Sequence, residues 1–527
     1  MRYSFVIDQD RCIGCHACTV ACKEEHNVPV GVFRTWVKYI EKGKFPDTSR
    51  HFAVLRCNHC DDAPCIEICP TVSLFCRPDG IVDFDSERCI GCKSCMQACP
   101  YDALYIDPNR NTAAKCNFCA HRIEVGLKPS CEVICPTQAI ISGDLDNPTS
   151  KVSRIVAMQK VNVRKPEKGT KPSLFYVGVE GDLLQPTMME PQSTHLWAEK
   201  QPAEDLYALL RDRNGKLIGC DDLYTSESER KSSRPGAARE VYDVPHPQLW
   251  GRTIASYLWT KSIAAGALLV AAFLLSIGHQ DETLLLNVVS PALALVFTTV
   301  TTLLLISDLK RPERFYYLLT KPNLRSWLVL GGYILMIYGL LACVWLIFGL
   351  LQGSVPTVLF WSTAFLSVCS ACYTAFLLAQ AKGRDLWQSP LFLWHLLLQA
   401  INAGTAMLII LGSIFQAGSS IMGVLAQTLA ISLILTVAII LGEISLTPIN
   451  ENVKRATDLL KKGALSGRFW GVVIGLGGFL PIILILWPGF QHGVNQPFIS
   501  LASILALVGL WAFEDLWIKA GQAVSLS

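Results

Sequence analysis

The sequence is poor in charge for its length. Asp, Glu, Lys and Arg make up 17% of the 527 residues, whereas 51% are hydrophobic, and the mean hydropathy is +0.35. This composition excludes an intrinsically disordered chain and argues against a wholly soluble protein. Residues 1–250 carry 31 basic and 33 acidic residues, and residues 251–527 carry 15 and 10. Neither half has the basic excess of a protein that binds nucleic acid.

The N-terminus lacks the features of an export signal. It reads MRYSFVID, with neither a basic leader before an apolar core nor a twin-arginine run. We therefore expect the chain to fold in a reducing compartment, where disulfides are rare. Of the 21 cysteines, 17 lie between Cys12 and Cys135. Such a density in a reducing compartment predicts metal binding rather than a disulfide framework.

Sixteen of these cysteines form four groups of four. In chain order the groups are Cys12, Cys15, Cys18 and Cys22; Cys57, Cys60, Cys65 and Cys69; Cys89, Cys92, Cys95 and Cys99; and Cys116, Cys119, Cys131 and Cys135. The first and third share the spacing C-x2-C-x2-C-x3-C, in the repeated sequences RCIGCHAC and RCIGCKSC. In bacterial ferredoxins this spacing places three thiolates on one 4Fe-4S cluster and the fourth on its neighbour. The sequence thus predicts four 4Fe-4S clusters, with a structural zinc scaffold as the alternative.

Composition divides the chain into three segments. We expect a ferredoxin-like α+β domain with four clusters over residues 1–160, then a polar tail and linker over residues 161–250, which Pro and Gly interrupt. Residues 251–527 contain eight apolar stretches, each near the length of about 20 residues that spans a bilayer. They lie near residues 257–277, 284–306, 327–350, 358–381, 391–414, 421–446, 469–487 and 500–518. The third segment is therefore predicted to be an all-α bundle of eight transmembrane helices.

Basic residues are missing from one side of this bundle. Thirteen lysines and arginines follow Gly278, and all lie on the membrane side that the cysteine-rich domain and the C-terminus share. The opposite loops, GHQDET, QGSVP, FQAGSS and PGFQHGVNQPF, contain none. Since basic loops are retained in the cytoplasm, we expect a multi-pass protein of a prokaryotic inner membrane whose cluster domain faces the cytoplasm.

Histidine is scarce within the spans. Of the ten histidines only His395 lies inside one, which argues against haem b, since bis-histidine ligation needs pairs of them. A quinone is then the expected membrane carrier, and its pocket needs hydrogen-bonding groups and proton access. Polar residues inside spans are costly and usually functional. We interpret Lys261 and His395 as donors to the quinone carbonyls, Tyr373 as a pocket wall, and Asp308 and Glu443 as proton access.

Two known families resemble the two halves. Residues 1–190, through the sixteen cysteines and the sequence KPEKGTKP, resemble the four-cluster electron-transfer subunits of bis-pterin molybdenum and tungsten oxidoreductases, the dimethyl-sulfoxide reductase family. The membrane half resembles the NrfD/polysulfide-reductase anchor through YLWTKSIAAG, DLKRPERFYYLLTKPNLRSW, YTAFLL and KAGQ. The two are usually separate subunits, so the resemblance implies a natural fusion.

The resemblance implies how the cysteines pair and what the chain does. The clusters would be held by Cys12, Cys15, Cys18 and Cys135; by Cys22, Cys116, Cys119 and Cys131; by Cys57, Cys60, Cys65 and Cys99; and by Cys69, Cys89, Cys92 and Cys95. The chain would be the electron-transfer and anchor subunit of a quinone-linked oxidoreductase. A separate large subunit would carry the bis-pterin cofactor and the substrate chemistry, and menaquinone or ubiquinone would be the membrane carrier.

Two alternatives stay open at this point. One is the same complex facing the periplasm, as a polysulfide, tetrathionate or dimethyl-sulfoxide type of reductase. The other is a redox-driven module that translocates ions, which needs ionisable groups through the full membrane thickness. The outer halves of the spans contain no charged residue, and this disfavours the second alternative.

Overall fold

The computed structural model describes residues 1–44, 47–178, 184–186, 189–191, 238–486 and 496–527. Within these residues, an N-terminal domain of short strands and short helices precedes a helical C-terminal domain. The predicted fold class is confirmed.

The strands of the first domain pair in two sheets and two hairpins. In chain order they are β1 (Tyr3–Asp8), β2 (Thr35–Lys44), β3 (Asp47–Arg56), β4 (Leu74–Cys76), β5 (Val82–Phe84), β6 (Leu104–Ile106), β7 (Ala113–Lys115), β8 (Ile140–Asp144), β9 (Leu174–Val177), β10 (Met189–Pro191) and β11 (Ala238–Tyr242). One sheet has the order β8-β1-β9 and the other β10-β11-β2-β3, while β4-β5 and β6-β7 are separate antiparallel pairs.

Short helices fill the loops between these strands. They are α1 (Ala17–His26), α2 (Pro64–Glu67), α3 (Ser94–Ala98), α4 (Ala120–Ile123), α5 (Ser130–Val133) and α6 (Lys151–Met158). The central strand β1 is buried on both faces, as its continuous apolar run requires. Phe5 joins the core around Trp36 on one face, and Val6 packs against Val152 of α6 on the other.

Part of residues 161–250 is more regular than the expected tail and linker. Strand β9 pairs in parallel with β1, and β11 pairs antiparallel with β2, so this segment supplies strands to both sheets. In β9 the side chains alternate between buried and half-buried, and the Tyr176 hydroxyl donates to the Val54 carbonyl at 3.0 Å. A four-residue strand between Pro- and Gly-rich stretches gives too short an alternation to recognise in the sequence. Residues 192–237, which hold most of the expected linker, lie outside the described residues.

The eight predicted spans are confirmed as helices long and apolar enough to cross a membrane. We name them α7 (Arg252–Ser276), α8 (Leu284–Asp308), α9 (Trp327–Gln352), α10 (Thr357–Gln380), α11 (Phe392–Ile414), α12 (Ser419–Ser445), α14 (Ser466–Leu486) and α15 (Gln496–Ala523), with the short amphipathic α13 (Glu451–Lys461) between the sixth and seventh. Helix α7 is central to the bundle. A Cβ at its Gly266 would lie 1.8 Å from the Ala400 carbonyl oxygen, so only glycine permits the contact with α11.

The loops on the basic side of the bundle bind the cluster domain. The Lys310 backbone N–H donates to the Gly91 carbonyl at 3.3 Å, and the Arg314 guanidinium donates to the Ser86 carbonyl at 2.7 Å. A Cβ at Gly91 would lie 2.5 Å from the Lys310 Cβ, so the two backbones are in close contact. Basic residues that the orientation rule counts as loop charge therefore also serve as docking contacts.

A partly buried ionic network joins β2 to the segment that enters the membrane. The Lys38 ammonium lies 2.5 Å from a Glu240 carboxylate oxygen and 3.2 Å from one of Asp243. The His246 ring lies 2.5 Å from Asp102 through Nδ1 and 3.3 Å from Asp243 through Nε2. Burial disfavours the charged imidazole, but its hydrogen bonds to Asp102 and Asp243 outweigh burial and raise the pKa of His246 to about 9.

We predict that His246 stabilises the chain in a pH-dependent manner. Because the folded-state pKa lies above the ordinary value of 6.5, the contribution is complete below that value and disappears as pH rises through about 9. Thermal unfolding of the purified chain should show a lower midpoint for His246→Gln than for the wild type at pH 6. At pH 10 the two midpoints should coincide. A difference that is the same at both pH values would contradict a charged His246.

Candidate functional site

Eight of the sixteen cysteines surround two cavities in the first domain. One small cavity is lined by Cys22, Cys116, Cys119 and Cys131. A second small cavity is lined by Cys12, Cys15, Cys18 and Cys135. In each cavity, three cysteines come from one sequence group and the fourth comes from another. The structure therefore brings these thiols together in the pairing that the family resemblance implies.

The other eight cysteines form two further groups of neighbours. Burial raises the pKa of the Cys92 thiol to about 12, and the charges of Cys69 and Cys89 act in the same direction. Burial likewise raises the pKa of Cys99 to about 11, with Cys57 among the charges that add to it. The complete groups are Cys57, Cys60, Cys65 and Cys99, and Cys69, Cys89, Cys92 and Cys95.

The repeated motif has the same backbone path in both copies. Gly14 and Gly91 each have φ of +69°, and two residues later His16 and Lys93 have φ of 58° and 64°. These left-handed positions turn the loop so that successive cysteines face one centre, and glycine adopts them without strain. Loop geometry thus explains why the sequence RCIGC recurs in RCIGCHAC and RCIGCKSC. His16 and Lys93 occupy the turn position that follows it.

Backbone N–H groups point at several of the thiols. Gly91 and Ala113 donate to the Cys89 sulfur at 3.4 and 3.3 Å, and Ala139 donates to the Cys135 sulfur at 3.2 Å. Donors of this kind surround ligands of iron–sulfur clusters and adjust their electronic properties. The cavities, the cysteines around them and these donors fit 4Fe-4S clusters.

The cysteine groups lead from the surface to the membrane domain. Cys15 is exposed on the outside of the first domain, whereas Cys92 lines a cavity among the membrane helices. This cavity has a volume of about 450 Å³ and is walled by α7, α8, α9 and α10. Both its size and its largely apolar wall are typical of small-molecule sites.

A small hydrogen-bond network forms the polar part of the cavity wall. The Tyr257 and Tyr373 hydroxyls share a short hydrogen bond, and the Tyr257 hydroxyl lies 3.1 Å from the Thr374 hydroxyl. Behind the wall, the Lys261 ammonium donates to the Thr374 hydroxyl at 2.7 Å and to the Ala371 carbonyl at 2.8 Å. Lys261 therefore supports the wall through Thr374.

Asp308 lies at the cluster end of the same cavity. Its carboxylate is 2.8 Å from the ammonium of Lys93, the residue that follows Cys92 in the cluster loop. Lys93 also contacts the Leu249 carbonyl at 3.4 Å. An ion pair thus joins the cluster loop to the wall of the membrane cavity.

The five candidate quinone residues fall into two separate places. Asp308 and Tyr373 line the cavity, and Lys261 is one contact behind it. His395 and Glu443 instead pair with each other at 2.8 Å across α11 and α12, and neither is among the described residues that line the cavity. Hydropathy gives the depth of a residue in the membrane but not the helix face on which it lies. The sequence analysis therefore assigned all five residues to one quinone pocket, although they lie in two separate places.

Sequence reasoning did not single out two wall residues, and it noted one buried acid, Glu514, without assigning it a role at the site. Tyr257 and Thr374 line the cavity, and Tyr257 lies four residues before Lys261, on the same face of α7. Glu514 of α15 is 2% exposed, and neither carboxyl oxygen has a hydrogen-bond partner among the described residues. The Glu514 carboxyl lies close enough to Lys261 and Tyr257 to interact with both electrostatically. Glu514 is not among the described residues that line the cavity.

The fold and the site define a 4Fe-4S electron-transfer domain joined in one chain to a multi-pass membrane domain. The chain belongs to the polysulphide reductase NrfD family, whose sequence profile matches residues 241–525, more than half of the chain. Profiles of a 4Fe-4S dicluster domain and a 4Fe-4S binding domain match residues 49–145 and 3–24. The predicted fusion is confirmed, and its role is electron transfer with membrane anchoring.

Several curated proteins are similar to part of the chain. A subunit of the tetrathionate reductase of Salmonella typhimurium is 42% identical over 202 residues, which cover 38% of this chain and 80% of that protein. A subunit of the polysulfide reductase of Wolinella succinogenes is 39% identical over 179 residues, covering 33% and 94%. The protein NrfC of Escherichia coli is 42% identical over 180 residues, covering 34% and 81%.

The cavity that Cys22 shares with the fourth cysteine group gives a test of the pairing. We predict that Cys22→Ala and Cys119→Ala each remove about four irons per chain and abolish the same electron paramagnetic resonance (EPR) signal in the reduced protein. Cys76→Ala is the matched control, because Cys76 is exposed and outside all four groups. If Cys22→Ala instead abolished the signal that Cys15→Ala abolishes, ligands would be grouped in chain order and the pairing would be wrong.

Proposed function

We propose that this chain conducts electrons between a separate catalytic subunit of the molybdenum or tungsten bis-pterin type and a membrane quinone. Four 4Fe-4S clusters, held by the four cysteine groups, form the path, and menaquinone or ubiquinone occupies the membrane cavity. The observation that carries this proposal is that Cys92 lines a cavity inside the helical domain. A cluster held there would lie against the quinone.

The cavity wall has the groups that quinone chemistry requires. Reduction of a quinone consumes two electrons and two protons, so its carbonyl oxygens need donors with access to protons. Tyr257 and Tyr373, whose hydroxyls share a hydrogen bond, line the cavity, and the Asp308 carboxylate pairs with Lys93 where the cavity meets the cluster domain. Protons would enter from the side of the clusters, so turnover moves no charge through the outer half of the bundle.

The opposite end of the cluster path suits a partner protein. Cys15 is exposed, and apolar side chains surround it on α1, α5 and the adjoining loops: Ile13, Val20, Val133 and Ile134 are between 48% and 65% exposed. Exposed apolar patches of this kind are typical of interaction sites. The catalytic subunit would cover this patch and receive or supply electrons there.

We predict that Tyr373→Phe slows reduction of the clusters by menaquinol in liposomes. Loss of a positioned hydroxyl should reduce the rate about a hundred-fold, at the lower end of what a proton donor contributes. Tyr316→Phe is the control, since Tyr316 is 50% exposed and outside the cavity lining. Stopped-flow absorbance of the clusters gives the rate. Equal rates for Tyr373→Phe and wild type, with full iron content, would rule out this cavity as the quinone site.

We further predict that the clusters face the cytoplasm. The basic loops Lys310–Arg325 and Lys382–Arg384 adjoin the cluster domain, as cytoplasmic loops do. A phosphatase reporter, active only after export, should be inactive when fused after Ser527 and active in the loop that follows Ile414. The reverse pattern would favour the periplasmic arrangement. A sodium or proton gradient in vesicles during turnover would favour the ion-translocating alternative.

A further inference from the structure

Arg56 is a buried cation in the cluster domain with little around it to balance its charge. It is the last residue of β3, and 1% of it is exposed. Its guanidinium lies over the Phe5 ring, 4.7 Å from the centroid, and Nη1 donates to the Cys131 sulfur at 3.0 Å. A guanidinium stays charged in proteins, so this charge must be compensated where it lies.

The rest of the guanidinium has no partner among the described residues. There, Nε and Nη2 of Arg56 make no hydrogen bond, and no carboxylate lies within ion-pair distance. An unpaired buried charge is strongly unfavourable. Such a residue points to a negative group that occupies the space beside it.

The space beside Arg56 is the first of the two cysteine-lined cavities. Arg56 lines this cavity together with the four cysteines Cys22, Cys116, Cys119 and Cys131. A 4Fe-4S cluster with four thiolate ligands is an anion, and it becomes more negative by one charge on reduction. The cavity therefore offers the counter-charge that the protein around Arg56 lacks.

We propose that Arg56 is the counter-cation of this cluster and raises its reduction potential above that of the same cluster without it. The inference rests on the proposed function, because it requires a cluster at these four cysteines. When the cluster accepts one electron, its added negative charge is attracted by the guanidinium, and the free N–H groups donate to its sulfur atoms. Cation charge and hydrogen bonds to sulfur favour the reduced state.

A second buried cation shows what sets Arg56 apart. The Lys115 ammonium lies 3.6 Å from the Cys57 sulfur, but it also donates to the Val82 and Cys116 carbonyls. Three contacts account for all the hydrogens of an ammonium. Lys115 is thus satisfied by the protein, whereas Arg56 keeps two nitrogens for the cluster.

The effect should be strongest on one cluster. Arg56 contacts the Cys131 sulfur and lines the cavity of Cys22, Cys116, Cys119 and Cys131, but it is not among the described residues that line the cavity of Cys12, Cys15, Cys18 and Cys135. We therefore expect a large shift for the cluster of Cys22, Cys116, Cys119 and Cys131, and at most a small shift for the one that includes the exposed Cys15. The reduced state would then be favoured at the second cluster from the surface that the catalytic subunit covers.

The test is a potentiometric titration of the full chain followed by EPR spectroscopy, with dithionite as the electron source. Arg56→Gln removes the charge, and Arg56→Lys keeps it while reducing the number of donors. Arg164→Gln is the matched control for this one cluster: Arg164 is also 1% exposed, lies over the Tyr101 ring and has two nitrogens without a partner among the described residues, but it lines neither of the two cysteine cavities.

The expected result is a lower midpoint potential in Arg56→Gln for the cluster whose EPR signal Cys22→Ala abolishes, an intermediate shift in Arg56→Lys and an unchanged potential of that same cluster in Arg164→Gln. Four intact clusters with wild-type potentials in Arg56→Gln would overturn the inference. If Arg56→Gln held only about 12 irons, the Arg56→Lys variant with full iron would replace it in the test. A wild-type potential of the cluster in Arg56→Lys would then overturn the inference. Loss of the cluster from both variants would show a role in assembly and would also overturn it. Absence of four cluster signals from the wild type would instead refute the proposed function.

Discussion

The contact between one cysteine loop and the membrane helices is the constraint on which the rest of the structure depends. The loop that holds Cys92 is pressed against the start of the loop after α8, so closely that Gly91 has no room for a side chain beside Lys310. One residue beyond Cys92, Lys93 forms its ion pair with Asp308. A redox centre held by this loop would thereby lie beside the cavity that the membrane helices and Cys92 line together.

Polar groups in both domains are placed where burial alone would exclude them. In the helical domain, Lys261 is buried but held by the Thr374 hydroxyl and the Ala371 carbonyl. In the cluster domain, Lys115 is held by carbonyls, while the Cys131 sulfur is the one hydrogen-bond partner of the Arg56 guanidinium among the described residues. Because buried charges are normally compensated, the free nitrogens of Arg56 beside a cysteine-lined cavity point to an anionic group there.

The sequence predicted the two-domain fold and the eight spans because both depend on patterns along the chain: cysteine spacing and apolar length. It could not predict what depends on neighbours across the fold. The positions of Tyr257 and Thr374 at the cavity wall, and the separation of His395 from it, follow from helix rotation, which hydropathy does not encode. Strand β9 was missed because four residues show too little periodicity. The cysteine pairing came only from a family resemblance, since spacing alone permits other combinations.

Fusion of the two domains changes what their interface must achieve. Separate subunits must bury enough surface to overcome the entropy of association, whereas a covalent link raises the effective concentration of one domain near the other. In this chain the linking segment is itself part of the fold, since β11 pairs with β2 just before α7 begins. The link therefore fixes orientation as well as proximity. The further contacts between the domains include apolar packing of Leu377 and Leu328 against the cluster domain and directional polar contacts, such as Arg384 with Gln97 at 2.8 Å and Gln97 with Gln522 at 2.9 Å. Such contacts hold the register of the cluster loops over the cavity, which is what electron transfer requires of the interface.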